Sequence, residues 1–325
     1  MRASFLFRIR ALDESIAAAE SVVRHAGAPG WRMHVARAHL AMGSSRMVRG
    51  DRDAAREGYT EALRRFESGD PPLYIAAANQ GLGLLSLDSG DLDDAADRFA
   101  ETVRIASAGG VPLMEVRGRM LGAYVAGARG DLDRQETLLN AAEPLLRDTM
   151  ARAEHSGQRG DIALRRGHAA EARAFYERSL KYDAWVGGPN MAVLGLQIAA
   201  TLVEEARFIE ARERAEVERE RIRRRDRRDM MVGANLVLAA AVAGEGTWAR
   251  WDHLFDEVEA QSGLSDYAAE EDARMAERSV SLATQAGEAE RARRARRWAR
   301  TQWERLGLAR RAMRTTVPPG LASEP

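Results

Sequence analysis

Apolar positions along the chain recur three and four residues apart and not two apart, the spacing of helices with one buried face. The pattern is clearest from Gly83 to Phe99. A helix carrying the small residue Gly83 stops seven residues later at Gly90-Asp91, and a second helix then places Ala95 and Phe99 on one face. The arrangement returns along the chain. Its turn residue falls at Gly50, Gly90, Gly130, Gly167, Ala206, Gly246 and Gly287, with spacings of 40, 40, 37, 39, 40 and 41 residues. A near-constant period in this range marks a repeat array.

Three further positions repeat with the turn. A small residue stands seven before it (Gly43, Gly83, Ala123, Gly160, Ala199, Ala239), and another follows five after it (Ala55, Ala95, Ala172, Ala211, Ala292). A large one comes nine after it (Tyr59, Phe99, Leu139, Tyr176, Phe255). Small residues let two helices approach closely, and the large one, a turn beyond the second small one, fills the space between hairpins. The pattern predicts helix pairs near 31–48 and 52–67, 73–89 and 92–107, 112–129 and 132–147, and 149–166 and 169–183. It continues with 189–205 and 208–225, 228–244 and 247–261, and 266–285 and 288–305. Pro71-Pro72, Pro112 and Pro189 fall between pairs, where a proline opens a helix without losing a bond.

Residues 11–26 read as one more amphipathic helix without a partner before it. It is either a cap on the array or the remnant of a preceding hairpin in a longer protein. The expected organisation is therefore an N-terminal orphan or capping helix over 1–30, a solenoid over 31–306, and a basic C-terminal extension with a disordered tail over 307–325.

These residues, above all Gly83–Phe99 and Gly160–Tyr176, resemble the tetratricopeptide repeat family, which places small residues at two helix crossings and an aromatic on the second helix. The resemblance covers roughly 31–306. It departs in its longer period, about 40 instead of 34 residues, and in mostly lacking the proline that often closes a repeat. Repeats of this length are similar to those in the sensor arms of large bacterial ATP-dependent regulators and kinases. The resemblance implies an all-α fold, a right-handed α-solenoid of about seven hairpins, with the first helices lining a concave face. Matched position by position, that face includes Arg37, Leu40, Ser44, Gln80, Leu84, Arg117, Met120, Tyr124, Asp161, Leu164 and Arg165, followed by the apolar Val193, Leu196 and Leu236. The earlier, polar part suits an acidic or extended peptide held by charge-assisted bonds.

Composition narrows the reading. The 325 residues carry 49 basic and 49 acidic side chains, so no global field draws the protein to nucleic acid or an anionic membrane. Cysteine is absent, which excludes disulfides and thiolate chemistry and fits a reducing compartment; a cytoplasmic location is the expectation. The longest apolar stretches, 191–203 and 232–244, fall short of the roughly 20 residues a spanning helix needs. No phosphate loop, zinc-protease motif or nucleophile elbow occurs, and the six histidines are scattered without metal-ligand spacing. No catalytic residue, metal or cofactor is expected.

Two arginine-rich stretches remain. Residues 205–229 set ten arginines against eight acids, the composition of a solvated helix laced with ion pairs. Residues 287–314 set ten against three and include Trp298 and Trp303. Basic residues with aromatics can bind nucleic acid, but these tryptophans are equally placed to cap the last hairpin while the arginines face the acidic stretch 252–277. The leading expectation is a non-enzymatic scaffold holding a peptide or protein partner on its concave face. The alternative is a sensor or regulatory module of a larger signalling ATPase, kinase or transcription regulator. Nucleic-acid binding is disfavoured, and self-association through an uncapped end is an added option.

Overall fold

The computed structural model describes residues 2–25, 29–67, 69–185, 190–225, 227–262 and 269–308. Among them are fifteen α-helices and no strand: α1 Arg2–His25, α2 Arg32–Arg49, α3 Arg52–Arg65, α4 Pro72–Asp88, α5 Leu92–Ala108, α6 Pro112–Ala128, α7 Leu132–Ala142 and α8 Thr149–Arg165. The rest are α9 Ala169–Trp185, α10 Met191–Glu204, α11 Phe208–Arg224, α12 Met231–Gly244, α13 Trp248–Ser262, α14 Glu270–Gln285 and α15 Ala289–Arg305. The protein is an all-α solenoid of helical hairpins, in two compact units, Met1–Ala151 and Arg152–Pro325. Pro189 and the tail expected to be disordered lie outside the described residues.

One backbone motif makes every hairpin turn. At each of the seven turns the amide following the turn residue donates to the carbonyl five residues back, as from Asp91 to Ser86, at 2.8–2.9 Å. This is the Schellman closure, which requires a left-handed residue at the end of the first helix. Six turns supply it with glycine at φ 73–88°, and the seventh with Ala206 at φ 58°, the one positive-φ residue other than glycine among those described. Asp91 and Asp131 then cap the second helix by accepting from the amides of Asp94 and Arg134.

Packing follows from the small and large positions. In unit 1, α2 and α3 cross with backbones nearly touching, since a Cβ on Gly58 would stand 2.8 Å from the amide nitrogen of Gly43. The Tyr59 ring fills the gap beside them. A Cβ would come within 2.9 Å of that ring at Gly43 and within 2.4 Å at Gly81 of the next hairpin. Phe99 stands in the same relation to Gly83, and in unit 2 Tyr176 does so to Gly160. Further into unit 2 the small residues become alanines, and α12 is buried from Ala234 to Ala243, within a core that includes Leu194, Ile198, Leu202 and the stacked rings of Trp251 and Phe255.

Arginine–carboxylate pairs about one period apart bridge successive hairpins: Arg49–Asp13 and Arg52–Asp88 at 2.7 and 3.3 Å in unit 1, and Arg173–Glu205, Arg212–Glu245 and Arg291–Asp252 at 3.0, 2.9 and 2.7 Å in unit 2. Singly, the exposed ones among these pairs contribute about 0–1 kcal/mol.

Most boundaries shift by a few residues, the expected start of the fourteenth helix at 266–268 lies outside the described residues, and two depart further. α7 stops at Ala142 and continues as a 3-10 turn, Glu143–Leu145, because Pro144 has no amide to extend the α-helical ladder. α1 begins well before residue 11 and packs on α2 as a second helix would, Ala19 against Ala38 and Met42.

Ala206→Gly relieves the one strained turn and should raise unfolding free energy by about 0.5–1 kcal/mol. Gly81→Ala drives a methyl group into the Tyr59 ring and should lower it by about 1–3 kcal/mol. Urea denaturation followed by circular dichroism checks both, and a stabilised Gly81→Ala would refute the packing described.

Candidate functional site

The first helices of unit 1 each bury one side against their neighbours and leave a stripe uncovered. The less buried positions include Leu73, Ala77, Gln80, Leu84 and Asp88 along α4 and Leu113, Arg117, Leu121 and Tyr124 along α6, each set spaced as one helical face. The corresponding stripe of α2 carries Arg37, Ser44 and Val48. This face of the first helices differs from the other described surfaces of the unit. Among the described side chains of unit 1, the exposed large apolar ones are Trp31, Val48, Leu73, Leu113, Tyr124 and Met150, all on or directly before first helices; α3, α5 and α7 expose none. Tyr124 is 55% exposed and Leu113 49%.

Charge on this face is basic. The Arg37 guanidinium lies over the Tyr74 ring, 4.7 Å from its centroid, a contact that orients the side chain and leaves its charge available. Among the described residues Arg117 has no carboxylate partner. Glu115 and Asp88 are neutralised by Arg119 and Arg52. Of the residues expected on the concave face, Arg37, Arg117 and Tyr124 are exposed, and Gln80 and Leu84 are half-buried beside them. Met120 departs from expectation. At 2% exposure it is a core residue with no surface to offer, because α6 is turned so that residues 116, 120 and 123 face its neighbours.

Asp161 and Arg165 lie in unit 2, where the equivalent face is engaged by the chain itself. Tyr176 Oη donates to Asp161 Oδ1 at 2.8 Å and Gln197 Nε2 to the same oxygen at 3.3 Å, while burial pushes the Asp161 carboxyl up to about 6. Arg165 is ion-paired with Glu270 at the start of α14. The expected apolar later wall is not one surface: Leu236 is fully buried and Leu196 half-buried, where α10, α12 and α14 pack side by side, and Val193 is exposed.

Other features are less selective. A cleft of about 860 Å³ among α1, α2 and α3 alternates acid and base, with Glu20, Asp53, Glu57 and Glu61 against Arg24, Arg46, Arg56 and Arg65. Hydrogen bonds from Arg64 and Arg65 hold Glu61 at about 2. Among the described residues no cluster of three or more histidines and carboxylates is placed to hold a metal ion, and no helix is long and apolar enough to cross a membrane. In α15, Trp303 is fully buried, donating from Nε1 to Glu277 at 2.8 Å, and Trp298 is 8% exposed. Arg291 pairs with Asp252, and Arg294 with Asp256 and Glu259. The tryptophans are therefore closed to stacking on bases, and these arginines face the acidic stretch of α13.

Sequence reasoning missed two buried polar arrangements. Glu218 of α11 is fully buried between Arg214, at 3.2 Å, and Arg221, opposite Gly195, where a Cβ would fall 2.3 Å from its carboxylate. The only hint was that glycine in an otherwise apolar helix. Arg219 donates to Asn235 and Glu257, both at 2.7 Å, tying α11 to α12 and α13.

No family model matches the chain, and no curated protein does. Solved structures match it as a fold. The apo form of RapI superposes with a TM-score of 0.66 at 9% identity, covering 86% of this chain and 98% of that one. A Rap protein complexed with Competence and Sporulation Factor gives 0.62 at 12%, covering 88% and 77%. A STAND protein with a tetratricopeptide repeat sensor from Pyrococcus horikoshii gives 0.58 at 13%, covering 88% of this chain and 46% of that one. The chain has the tetratricopeptide-repeat fold, as the turn and packing positions implied.

Core and surface on α6 are separable by substitution. Met120→Ala should cost about 2–5 kcal/mol of stability, whereas Arg117→Ala and Tyr124→Ala should each change it by less than about 0.5 kcal/mol. Denaturant titration of the three variants checks the assignment.

Proposed function

We propose that this protein is a non-enzymatic interaction scaffold that binds an acidic, partly apolar segment of a protein partner on the inner face of unit 1. The observation carrying this reading is that, among the described side chains of unit 1, the exposed large apolar ones are confined to its first helices, together with the uncompensated charge of Arg37 and Arg117. Exposed apolar groups in a row mark an interaction surface, and two free guanidiniums select carboxylates by charge-assisted hydrogen bonds. Leu73, Leu84, Leu113 and Tyr124 supply the apolar contact, and Arg37, Gln80 and Arg117 the polar one. Affinity then spreads over several repeats, with Tyr124 and the arginines as the residues whose loss costs most.

A solved neighbour of the same fold supports a binding role, since it is a Rap protein complexed with Competence and Sporulation Factor. A second reading, a sensor module of a larger signalling protein, is favoured by the fold shared with the tetratricopeptide repeat sensor of the Pyrococcus horikoshii STAND protein. The readings share a binding face and differ in what binding is coupled to.

A display selection of random peptides against the folded protein tests the binding face. Selected sequences should be rich in Asp and Glu interleaved with apolar residues, and Arg37→Glu with Arg117→Glu should weaken them at least tenfold. Ile209→Ser on α11, an exposed apolar residue elsewhere, should leave binding unchanged. Peptides indifferent to the arginine substitutions would remove the inner face from consideration.

A further inference from the structure

α8 and α14 belong to hairpins separated by two others, yet the start of α14 reaches the end of α8. Glu270 pairs with Arg165, 105 residues earlier, and Arg274 Nη2 donates to the Leu164 carbonyl at 3.3 Å. Two turns along α14, Arg278 Nε stands 3.7 Å from Glu204 at the end of α10. Repeats in a solenoid ordinarily contact their neighbours alone, so this is a closure of unit 2 upon itself, made by charged groups.

Two half-buried carboxyls lie beside it. Asp161 of α8 faces the Tyr176 hydroxyl of α9 and the Gln197 amide of α10. Asp272 of α14 lies against α12 at Gly233, where a Cβ would come within 2.8 Å of its Oδ1. Around them stand Glu270 and Glu271 on α14, with Arg165 on α8 and Arg274 on α14 as the nearby cations, and Glu204 with Arg278 further along. Arg165 is already committed to Glu270.

We propose that the acidic first turn of α14 is a releasable latch across the inner face of unit 2, closed while Asp161 and Asp272 are protonated and opened when they ionise.

Burial raises the Asp161 carboxyl to about 6 against the opposing pull of the Tyr176 hydrogen bond and the Arg165 charge, and the Asp272 carboxyl to about 7, and repulsion from Glu271 adds to both. A carboxyl raised in the closed form favours that form fully below its ordinary value of about 4, and the advantage is lost as the pH rises through the raised values. Above pH 7 the closed latch must hold two further negative charges beside Glu270 and Glu271, while in the open form water solvates them. Tyr176, held well above its ordinary value by burial, stays protonated throughout, and the arginines stay charged.

The absence of cysteine makes the test direct, because two introduced thiols are the only ones in the chain. Spin labels at His168→Cys and Thr284→Cys, exposed sites on the α8/α9 and α14/α15 hairpins, report the separation by double electron–electron resonance. A narrow distance distribution is expected at pH 5 and a longer, broader one at pH 8. Asp161→Asn with Asp272→Asn should stay closed at both, Arg165→Glu should open at both, and adding Glu270→Arg to Arg165→Glu should restore the closed distribution at pH 5. Circular dichroism on each variant distinguishes opening from unfolding. A distribution unchanged between pH 5 and pH 8 overturns the protonation control, and one that Arg165→Glu leaves unchanged overturns the latch itself.

Discussion

The Tyr59 ring occupies space that one methyl group on Gly43 or Gly81 would take, and this exchange of ring for missing side chain underlies the repeat. Two helices can cross with their backbones in contact only where no side chain intervenes. The hole left beside the crossing is then filled from the second helix, and the same ring reaches the first helix of the next hairpin. One residue thus joins contacts within a repeat to contacts between repeats. The Schellman turns fix the angle at which each pair leaves the crossing, and the arginine–carboxylate pairs trim the flanks.

The two units put this device to different uses. In unit 1 glycine and an aromatic ring do the packing, and the first helices keep an uncovered stripe carrying Leu113, Arg117 and Tyr124. In unit 2 alanines replace glycines toward the C-terminus, and the first helices pack side by side tightly enough to bury α12. The same sequence positions that face outward on α6 are closed on α12, so one register yields a surface in one place and a core in another.

Fold and site were unequally legible in the sequence for this reason. Turn residue, small positions and ring are local and recur at a fixed spacing, so seven copies identify them, and the left-handed Ala206 could be aligned with six glycines before any coordinates. Whether a stripe residue is open depends on a neighbouring helix some 40 residues away. Met120 and Tyr124 sit one turn apart on one helix, and a small rotation of α6 separates them. The pairing of Arg165 with Glu270 spans 105 residues and leaves no periodic trace. Glu218 looked like one more solvated acid in an arginine-rich helix, since nothing local records that Gly195 makes room for it.

Ala206 also bears on how the array comes apart. In a chain of repeats, cooperativity is a competition between the intrinsic stability of each hairpin and its coupling to neighbours. A left-handed alanine costs roughly 1 kcal/mol that glycine does not, so the α10/α11 hairpin is intrinsically the weakest closure of its kind while lying inside the most apolar part of unit 2. Strong coupling around a weak element favours melting of that unit as a single block, and the weak turn is where such a block would divide once its neighbours loosen.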